Sequence, residues 1–433
     1  MSQLISQLIL TFPLLLLLFW LSTVSSHMKR NAINPEIFPE KLWPTDRPIP
    51  YTFSSNFTND EYKTMVSEAF KLIESSTCLN FENASEWSYH DDFDSVLLIV
   101  NGSGGCYVWD IGKLPNQNYT VISLGEECFY IHFIVHEVLH ALGLDHTQNR
   151  LDRDDYIVIN ETALDSKYND QYFRASEEDF TSLGVPYDFH SIMHYPPLSL
   201  DGTDMVAKDE FYQLAIGFNA YGPSHSDFLL LNRLYKCLDK CAPAKTVCEN
   251  EGFVNPRDCQ KCICPRGFAG AFCGEAEGNV LDSGRLCGGI HYVFDKPGSL
   301  FEVLGTFDTC YIHLKASAGK QVEIESFVML GGIENCSSAI EVRLGNFLVG
   351  GYVFFCDGDL LKRALRSERN LAVITLMTRG EDYGALFSVR FRAVSAEESE
   401  DSIIQRNLAT TMYNIRQFAV ACACLFATLI YLV

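Results

Sequence analysis

Basic residues are scarce in this chain. Of its 433 residues, 33 are lysine or arginine and 55 are aspartate or glutamate, so the formal net charge is −22. Proteins that bind nucleic acid rely on basic surfaces that contact phosphates, so the composition excludes nucleic acid as an expected partner. A solvated acidic surface is the favoured explanation of the charge, and a specific cationic partner is the alternative. Apolar residues make up 47% of the chain, and the length is that of roughly two to four domains.

The sequence also lacks an apolar run of the ~20 residues that a membrane-spanning helix needs. Its N-terminal run, residues 8–21, is shorter than this and is followed by small residues at 22–26. This pattern favours a cleaved signal peptide over residues 1–26, although no basic residue precedes the run. A membrane-spanning helix is the alternative interpretation. The signal peptide predicts a secreted, extracellular protein.

Cysteines and glycosylation motifs agree with export. The chain has 16 cysteines, and disulfides persist mainly in oxidising compartments. Asn-x-Ser/Thr motifs become usable only when a chain is exported. The predicted glycosylation sites are Asn56, Asn83, Asn101, Asn118, Asn160 and Asn335.

The spacing of the cysteines divides the chain into modules. Residues 31–239 contain four cysteines and are long enough for an independent mixed α/β domain. Residues 240–274 contain six cysteines and are too short for an adequate core, so disulfides are expected to replace it. Zinc binding by this cluster is the alternative, which export disfavours. Residues 287–393 have short alternating apolar runs between turn residues, as in an antiparallel β-sandwich.

The chain ends in an apolar tail, residues 418–433, which a predicted linker at 394–417 separates from the sandwich. A helix of this length would measure about 24 Å, short of the ~30 Å hydrocarbon core of a bilayer. Two interpretations remain open: a removed signal for a lipid anchor, and a marginal membrane anchor. Both predict that residues 418–433 lead to attachment of the protein to the cell surface.

The strongest local pattern is a pair of histidines, His136 and His140, in a stretch of helical character. Histidines four apart share one helix face, so their imidazoles can converge on one ion. Glu137 follows the first histidine, where its carboxylate can take a proton from metal-bound water. Gly143 can adopt the left-handed conformation that ends a helix and turns the chain back. That reversal can bring His146 to a third coordination position.

Three neutral imidazoles would leave a dipositive zinc ion with an open position, as catalytic zinc sites require. Such an ion can lower the pKa of its water to about 7 and polarise a peptide carbonyl. We therefore predict one Zn²⁺ per catalytic domain and hydrolysis of peptide bonds, with Glu137 as the general base. Core packing of the histidines is the alternative interpretation. The sequence has no Ser–His–Asp signature for a competing mechanism.

The extended motif His-Glu-x-x-His-x-x-Gly-x-x-His is shared by the metzincins, and Ser-Ile-Met-His-Tyr at 191–195 closely resembles the methionine turn of the astacin family. Ile-Pro-Tyr-Thr-Phe at 49–53 and Arg-Leu-Asp-Arg-Asp-Asp-Tyr at 150–156 are also similar to that family. The resemblance covers most of residues 31–239. It implies an α+β fold: a two-lobed, metzincin-like catalytic domain whose cleft lies between the lobes.

The same resemblance assigns roles to further residues. Met193 is expected to form a hydrophobic floor beneath the metal, and Tyr195 to be a fifth ligand that swings away to stabilise the oxyanion. Core packing is the plainer interpretation of both residues. The resemblance also implies two disulfides, which are Cys78–Cys237 and Cys106–Cys128.

The other modules resemble two known extracellular domains. Residues 264–273 resemble the end of a small disulfide-rich EGF-like module, which implies disulfides at Cys264 and Cys273. Pairing of the other four cysteines of this module stays open. Residues 287–393 resemble a CUB domain, a β-sandwich that can bind a protein partner, and nematode astacins have the same domain order. The CUB resemblance implies the disulfides Cys287–Cys310 and Cys336–Cys356.

Three positions depart from the patterns of these families. Many CUB domains bind calcium through an acidic residue after the third cysteine, but Ser337 stands there, so we predict no such calcium site. Astacins usually have glutamate after the third histidine, and this chain has Thr147. The prosegment is reduced to residues 27–30. We therefore expect an enzyme that is active without the usual switch, trimmed after Arg30.

The leading functional hypothesis is an extracellular zinc-dependent endopeptidase that acts on extracellular proteins. The alternative is a catalytically degenerate binding protein that acts through its CUB and EGF-like modules. A structural matrix glycoprotein would explain the modules and the glycosylation motifs but not the metal motif.

Overall fold

The computed structural model describes residues 32–84, 95–102, 105–164, 171–172, 174, 176, 178–199, 202–218, 222–281, 283–331, 338–355, 361, 363–378 and 385–395. The predicted signal peptide, prosegment and apolar tail lie outside these residues, as does the linker beyond residue 395. Asn335, Cys336, Ser337 and Cys356 also lie outside them, so the predictions for these residues stay predictions. Within the described part of the chain, no helix is both long and apolar enough to cross a membrane.

The N-terminal part of the chain combines helices with a mainly parallel sheet. Its strands are β1 (Ala32–Ile33), β2 (Ile49–Phe53), β3 (Phe81–Asn83), β4 (Val96–Asn101), β5 (Tyr107–Val108), β6 (Tyr119–Leu124), β7 (Ile157–Ile159), β8 (Phe180–Thr181) and β9 (Met205–Ala207). Its helices are α1 (Asp60–Ser76), α2 (Ile131–Ala141) and α3 (His225–Leu234). Short 3-10 helices cover Pro39–Lys41, Glu126–Cys128, Thr147–Asn149, Arg153–Asp155, Glu210–Ala215 and Asp239–Ala244.

The first lobe is a five-stranded sheet with the order β3-β2-β4-β6-β5. β2 pairs in parallel with β3 and β4, and β4 pairs in parallel with β6. The edge strand β5 runs antiparallel to β6. The side chains of β4 alternate between buried and half-buried, and its buried Leu97 and Ile99 join one core with residues of α1 and α2.

Helix α1 covers this sheet with one apolar face. The side chain of Asn59 accepts hydrogen bonds from the N–H groups of Glu61 and Tyr62, which caps the first turn. Val66, Phe70 and Ile73 of α1 are buried at helical spacing. Through them α1 joins the core that α2 shares, so the helix that carries the histidine motif lies inside the lobe.

The second lobe follows the end of α2 and contains two small antiparallel pairs. β7 pairs with β9, and β8 pairs back with the N-terminal β1. Helix α3 begins at a capping box, in which the side chains of Ser224 and Asp227 each accept a hydrogen bond from the other residue's N–H group. A disulfide between Cys78 and Cys237 ties the segment after α1 to the segment after α3.

The six clustered cysteines form three disulfides, Cys241–Cys259, Cys248–Cys262 and Cys264–Cys273. None of the six is therefore available as a thiolate ligand for zinc. Two hairpins complete this module. Their strands are β10 (Phe253–Asn255), β11 (Asp258–Ile263), β12 (Phe268–Ala269) and β13 (Glu275–Ala276).

The C-terminal part of the chain forms two sheets. The strands are β14 (Gly278–Val280), β15 (Leu286–Tyr292), β16 (Gly298–Leu304), β17 (Thr309–Lys315), β18 (Lys320–Gly331), β19 (Ala339–Arg343), β20 (Tyr352–Phe355), β21 (Leu365–Arg366), β22 (Leu371–Met377) and β23 (Ala385–Ser395). One sheet has the order β14-β15-β17-β22-β19-β20 and the other has the order β16-β23-β18-β21. Apolar residues from both sheets form one core, as the alternating runs predict, and Cys287–Cys310 is a disulfide.

Candidate metal centre

The helix α2 carries two of the histidines and ends in a way that brings in the third. The N–H of Gly143 donates to the carbonyl of His140 (2.9 Å), and the N–H of Leu144 donates to that of Leu139 (3.0 Å), which is a Schellman motif. Gly143 has φ +102°, a conformation that side chains disfavour. The chain therefore reverses where the sequence predicts it, and His146 returns towards the helix.

The three imidazoles converge through their Nε2 atoms. The Nε2 of His146 lies 3.3 Å from that of His136 and 3.1 Å from that of His140. The three ligand atoms all lie within 4.8 Å of one another. In a tetrahedral site with Zn–N bonds of about 2.05 Å, neighbouring nitrogens would be about 3.3 Å apart. The spacing of these three atoms therefore fits one zinc ion.

Backbone carbonyls fix which nitrogen of each helical histidine carries its proton. The Nδ1 of His136 lies 2.7 Å from the carbonyl oxygen of Ile192, and the Nδ1 of His140 lies 2.7 Å from that of Leu144. A carbonyl can only accept, so each Nδ1 carries the hydrogen and each Nε2 keeps its lone pair. Two lone pairs that point together repel each other unless a cation lies between them. This arrangement fits a metal and orients its ligands.

Burial keeps the three imidazoles neutral in the metal-free protein. Desolvation lowers the pKa of His136 to about 4 and that of His140 to about 3. Desolvation also lowers the pKa of His146 well below its usual value. Near pH 7 all three rings are therefore unprotonated at the ligand nitrogen, which is the state that binds zinc.

Glu137 lies next to the first ligand and is 5% exposed. Its Oε2 atom is buried and has no hydrogen-bond partner among the described residues. Desolvation raises the pKa of this carboxyl group to about 8 in the metal-free protein. A buried carboxyl group without a partner is costly, and such groups are common where a proton must be exchanged.

The methionine turn lies against the histidines. Met193 is fully buried, and its carbonyl accepts a hydrogen bond from the N–H of Thr147 (2.8 Å). The ring of Tyr195 has its centroid 4.3 Å from that of His146. Its backbone N–H donates to the side-chain oxygen of Gln148 (3.1 Å). The structure therefore brings Met193 and Tyr195 to the histidine cluster, with Tyr195 beside the third histidine.

Several groups that hold the site in place could not be named from the sequence, and two of them act at the methionine turn. One is the carbonyl of Ile192, which accepts from His136. The other is Asp227, whose carboxylate accepts hydrogen bonds from the hydroxyl of Ser191 (2.6 Å) and the N–H of Ile192 (2.9 Å). The Ser-x-x-Asp pattern at 224–227 could have marked the start of α3. No residue type marks a carbonyl that orients a histidine.

The remaining predicted residues are placed as follows. Cys106 and Cys128 form a disulfide beside the start of α2. The side chains of five predicted glycosylation sites are exposed, and modification of these sites stays a prediction. They are Asn56, Asn83, Asn101, Asn118 and Asn160.

Comparisons with known proteins support a zinc site at these histidines. The model of the astacin family of peptidases matches residues 36–236. The chain is 29% identical to zinc metalloproteinase nas-27 of Caenorhabditis elegans over 86% of this chain and 89% of that protein. It is 32% identical to zinc metalloproteinase nas-36 of Brugia malayi over 80% of this chain and 58% of that protein.

Among solved structures, the chain is similar to high choriolytic enzyme 1, a hatching enzyme zinc-protease from Oryzias latipes. The identity is 24% and the TM-score is 0.40, over 48% of this chain and 99% of that chain. The family match at residues 36–236 includes the three clustered histidines. Residues 36–236 therefore match the astacin family of peptidases, and the chain is a zinc metalloendopeptidase.

Proposed function

We propose that this protein is an extracellular endopeptidase in which Glu137 is the general base for hydrolysis of peptide bonds in extracellular proteins. The observation that supports this role most directly is the buried Oε2 of Glu137, which has no partner among the described residues. His136, His140 and His146 would hold the zinc ion. When bound, zinc would lower the pKa of a water molecule and polarise the carbonyl of the scissile bond.

In this proposal Glu137 takes the proton of the attacking water and delivers it to the nitrogen of the leaving amine. Its raised pKa in the metal-free protein fits a group that holds a proton readily. Because Glu137 neighbours His136 in the helix but is not one of the three clustered ligands, its carboxylate is free for proton transfer.

We assign to Tyr195 the second catalytic role. Its ring lies against that of His146, and its backbone is tied to Gln148, so the phenol belongs to the rim of the metal centre. From this position the hydroxyl group can be a fifth ligand in the resting enzyme. It can also swing to donate a hydrogen bond to the developing oxyanion of the substrate. Met193 forms the floor beneath the histidines.

The proposed extracellular location rests on the disulfides and the N-terminal sequence. Six disulfides join described cysteines, and disulfides are rare in reducing compartments. We propose a signal peptide over residues 1–26, secretion, and attachment to the cell surface through residues 418–433. We also propose glycosylation at the predicted asparagines.

We propose that residues 240–274 are an EGF-like module and residues 287–393 a CUB domain. The first-to-third, second-to-fourth and fifth-to-sixth pairing of the six clustered cysteines supports the first assignment. The two facing sheets of the C-terminal part support the second. The CUB domain is a candidate site for a protein partner. Thr147, where astacins usually have glutamate, supports an enzyme that is active without the usual switch.

The test compares the purified full chain with Glu137→Gln and Glu137→Ala on casein and gelatin. We expect both variants to keep their zinc and to lose roughly 10²–10⁴-fold in rate, because one general base typically contributes that much. A zinc chelator should abolish cleavage by the wild type. Glu126→Gln, at an exposed glutamate before α2, is the matched control and should cleave normally. Equal cleavage by wild type and Glu137→Ala would refute the proposed role.

A further inference from the structure

The C-terminal sandwich packs against the second lobe directly behind the methionine turn. His190, three residues before Met193, is fully buried. Its Nε2 lies 2.9 Å from the carbonyl oxygen of Gly351, in the loop between β19 and β20. The same loop donates the N–H of Gly350 to the carboxylate of Asp188 (3.0 Å). The loop at residues 344–351, here the β19–β20 loop, therefore touches the segment that leads into the turn.

This contact has no room for a side chain at residue 350. A Cβ atom added to Gly350 would lie 2.0 Å from Cγ of His190. Real Cβ atoms do not approach a neighbouring heavy atom so closely, so any other residue would force the ring and the loop apart. The imidazole of His190 and the backbone of Gly350 are interlocked.

Apolar residues around the interlock join the two parts into one core. A single buried cluster contains Tyr187 and Phe189 of the second lobe together with Val353 and Met377 of the sandwich. Such a shared core resembles a domain interior more than a flexible tether. At its edge the hydroxyl of Tyr352 donates to the carboxylate of Asp209 (2.8 Å).

Hydrogen bonds continue from this interface towards the metal centre. The second carboxylate oxygen of Asp188 accepts from the hydroxyl of Ser226 (2.6 Å), at the start of α3. The next residue, Asp227, accepts from the N–H of Ile192 (2.9 Å). The carbonyl of Ile192 accepts from His136. Asp188 thus bonds both to the sandwich and to the helix end that holds the turn beside a zinc ligand.

We propose that Asp188 and His190 are positioning residues through which the sandwich holds the methionine turn and, through Ile192, the ligand His136. The sandwich would then be part of the structure that sets the zinc site, in addition to any role in binding partners. The activity part of this inference rests on the proposed function, whereas its zinc-retention part does not. A sandwich that only recruits protein substrates would leave cleavage of a short peptide unchanged when the interlock is disturbed.

The experiment uses the full chain with Gly350→Ala, His190→Ala and the double variant. Two quantities are measured, which are kcat and KM on a short fluorogenic peptide and the rate of zinc loss to a chelator. We expect Gly350→Ala to lower kcat at least tenfold with little change in KM, and to speed zinc loss at least tenfold. The double variant should match His190→Ala alone and exceed Gly350→Ala in kcat, because the missing ring makes room for the new methyl group.

Tyr352→Phe is the matched control, because it removes one hydrogen bond of the same interface away from Asp188 and His190. It should keep kcat and zinc loss within about twofold of the wild type. If Gly350→Ala does not fold, Asp188→Asn replaces it. Asparagine has nearly the same shape as aspartate, but it weakens the hydrogen bonds that the carboxylate accepts from Gly350, Ser226 and the N–H of His190. It should change both readouts in the same direction.

The proposal would be overturned if Gly350→Ala had the kcat of the wild type and lost zinc at the rate of the wild type. A defect confined to large protein substrates would also overturn it, because the sandwich would then be a recruiting module only. If the wild type cleaves no peptide, the proposed function fails. The zinc-loss rates of the wild type and the Gly350→Ala variant then decide the positioning role by themselves.

Discussion

The Nδ1 atom of His136 lies 2.7 Å from the carbonyl oxygen of Ile192, a residue 56 positions further along the chain. This hydrogen bond joins the metal helix of the first lobe to the methionine turn of the second. It fixes the tautomer of the ring, so the Nε2 lone pair faces the other two histidines. The zinc site is therefore assembled from both lobes, although all three ligands lie within 11 residues of sequence.

The turn that ends α2 gives the first prediction. Gly143→Ala should destabilise the protein by about 1–3 kcal/mol and weaken zinc binding, since it adds left-handed strain and steric crowding. Its Cβ would lie 3.0 Å from two side-chain atoms of Ile33, and the distorted turn would displace His146. Gly222→Ala is the control, because Gly222 also has a positive φ (+80°) but no atom within 4 Å of the added Cβ.

Chemical denaturation and competition with a zinc chelator measure the two effects. The control should lose about 1 kcal/mol of stability from backbone strain alone and keep its zinc affinity. Wild-type zinc affinity in Gly143→Ala would show that the reversal at this residue does not place the third histidine.

Between pH 7 and about pH 5.5, Glu137 should contribute to the pH dependence of zinc affinity and the histidines should not. In the metal-free protein the pKa of Glu137 is raised to about 8, so below that pH the carboxyl group holds a proton. A bound cation favours the ionised form, so zinc must displace this proton. Wild-type affinity should then fall roughly tenfold for each pH unit, the factor that one exchanged proton gives.

The Glu137→Gln variant has no carboxyl proton at this position, so it measures the pH dependence of zinc affinity without the contribution of Glu137. Because the pKa values of His136 and His140 are lowered to about 4 and about 3, protons compete with zinc only at lower pH. Affinity of the variant should change little from pH 7 to about pH 6, where burial has raised the pKa of Asp145 to about 6. It should fall steeply only below about pH 4, where the histidines take up protons. A tenfold loss for each unit already between pH 7 and 6 would mean that the histidines titrate in their ordinary range.

Much of the metal centre could be predicted from sequence, because its ligands follow helix geometry. The spacing of His136 and His140 places them on one face, and Gly143 marks the reversal towards His146. The carbonyl of Ile192 could not be predicted, since every residue has a carbonyl and only tertiary packing decides where it points. The contact between His190 and Gly350 joins residues 160 positions apart, which no local pattern encodes.

The pairing of four cysteines of the small module could not be predicted from the sequence, because several pairings fit the same spacing. The chain path decides among them: β10 and β11 form a hairpin, which carries Cys259 and Cys262 to Cys241 and Cys248. The β-sandwich was easier to predict, since alternation with period two survives in its strands.

Asp227 should matter for metal retention even though it does not touch the ligands. Its carboxylate accepts from Ser191, Ile192 and the backbone of Ser224, and it is nearly fully buried. Asp227→Ala leaves these buried donors unpaired, so we expect a loss of about 1–3 kcal/mol in stability and faster zinc loss. Asp227→Asn keeps part of the hydrogen bonding. Its stability and its rate of zinc loss should therefore lie between those of the wild type and those of Asp227→Ala.

Urea denaturation and stopped-flow chelation of zinc measure these changes. Asp258→Ala, at a half-exposed aspartate of the small module, is the control and should leave zinc loss unchanged. If Asp227→Ala kept the wild-type rate of zinc loss, the methionine turn would hold its place without this carboxylate.

X-ray absorption at the zinc edge of the purified full chain, together with its zinc content, tests the central claim most directly. We predict one zinc ion per chain with three imidazole nitrogens at about 2.0–2.1 Å, and a loss of zinc in His146→Ala but not in His132→Ala, one helical turn before His136. A folded, purified chain that contains no zinc and takes up none when zinc is added would contradict the account, as would a spectrum with fewer than three imidazole nitrogens.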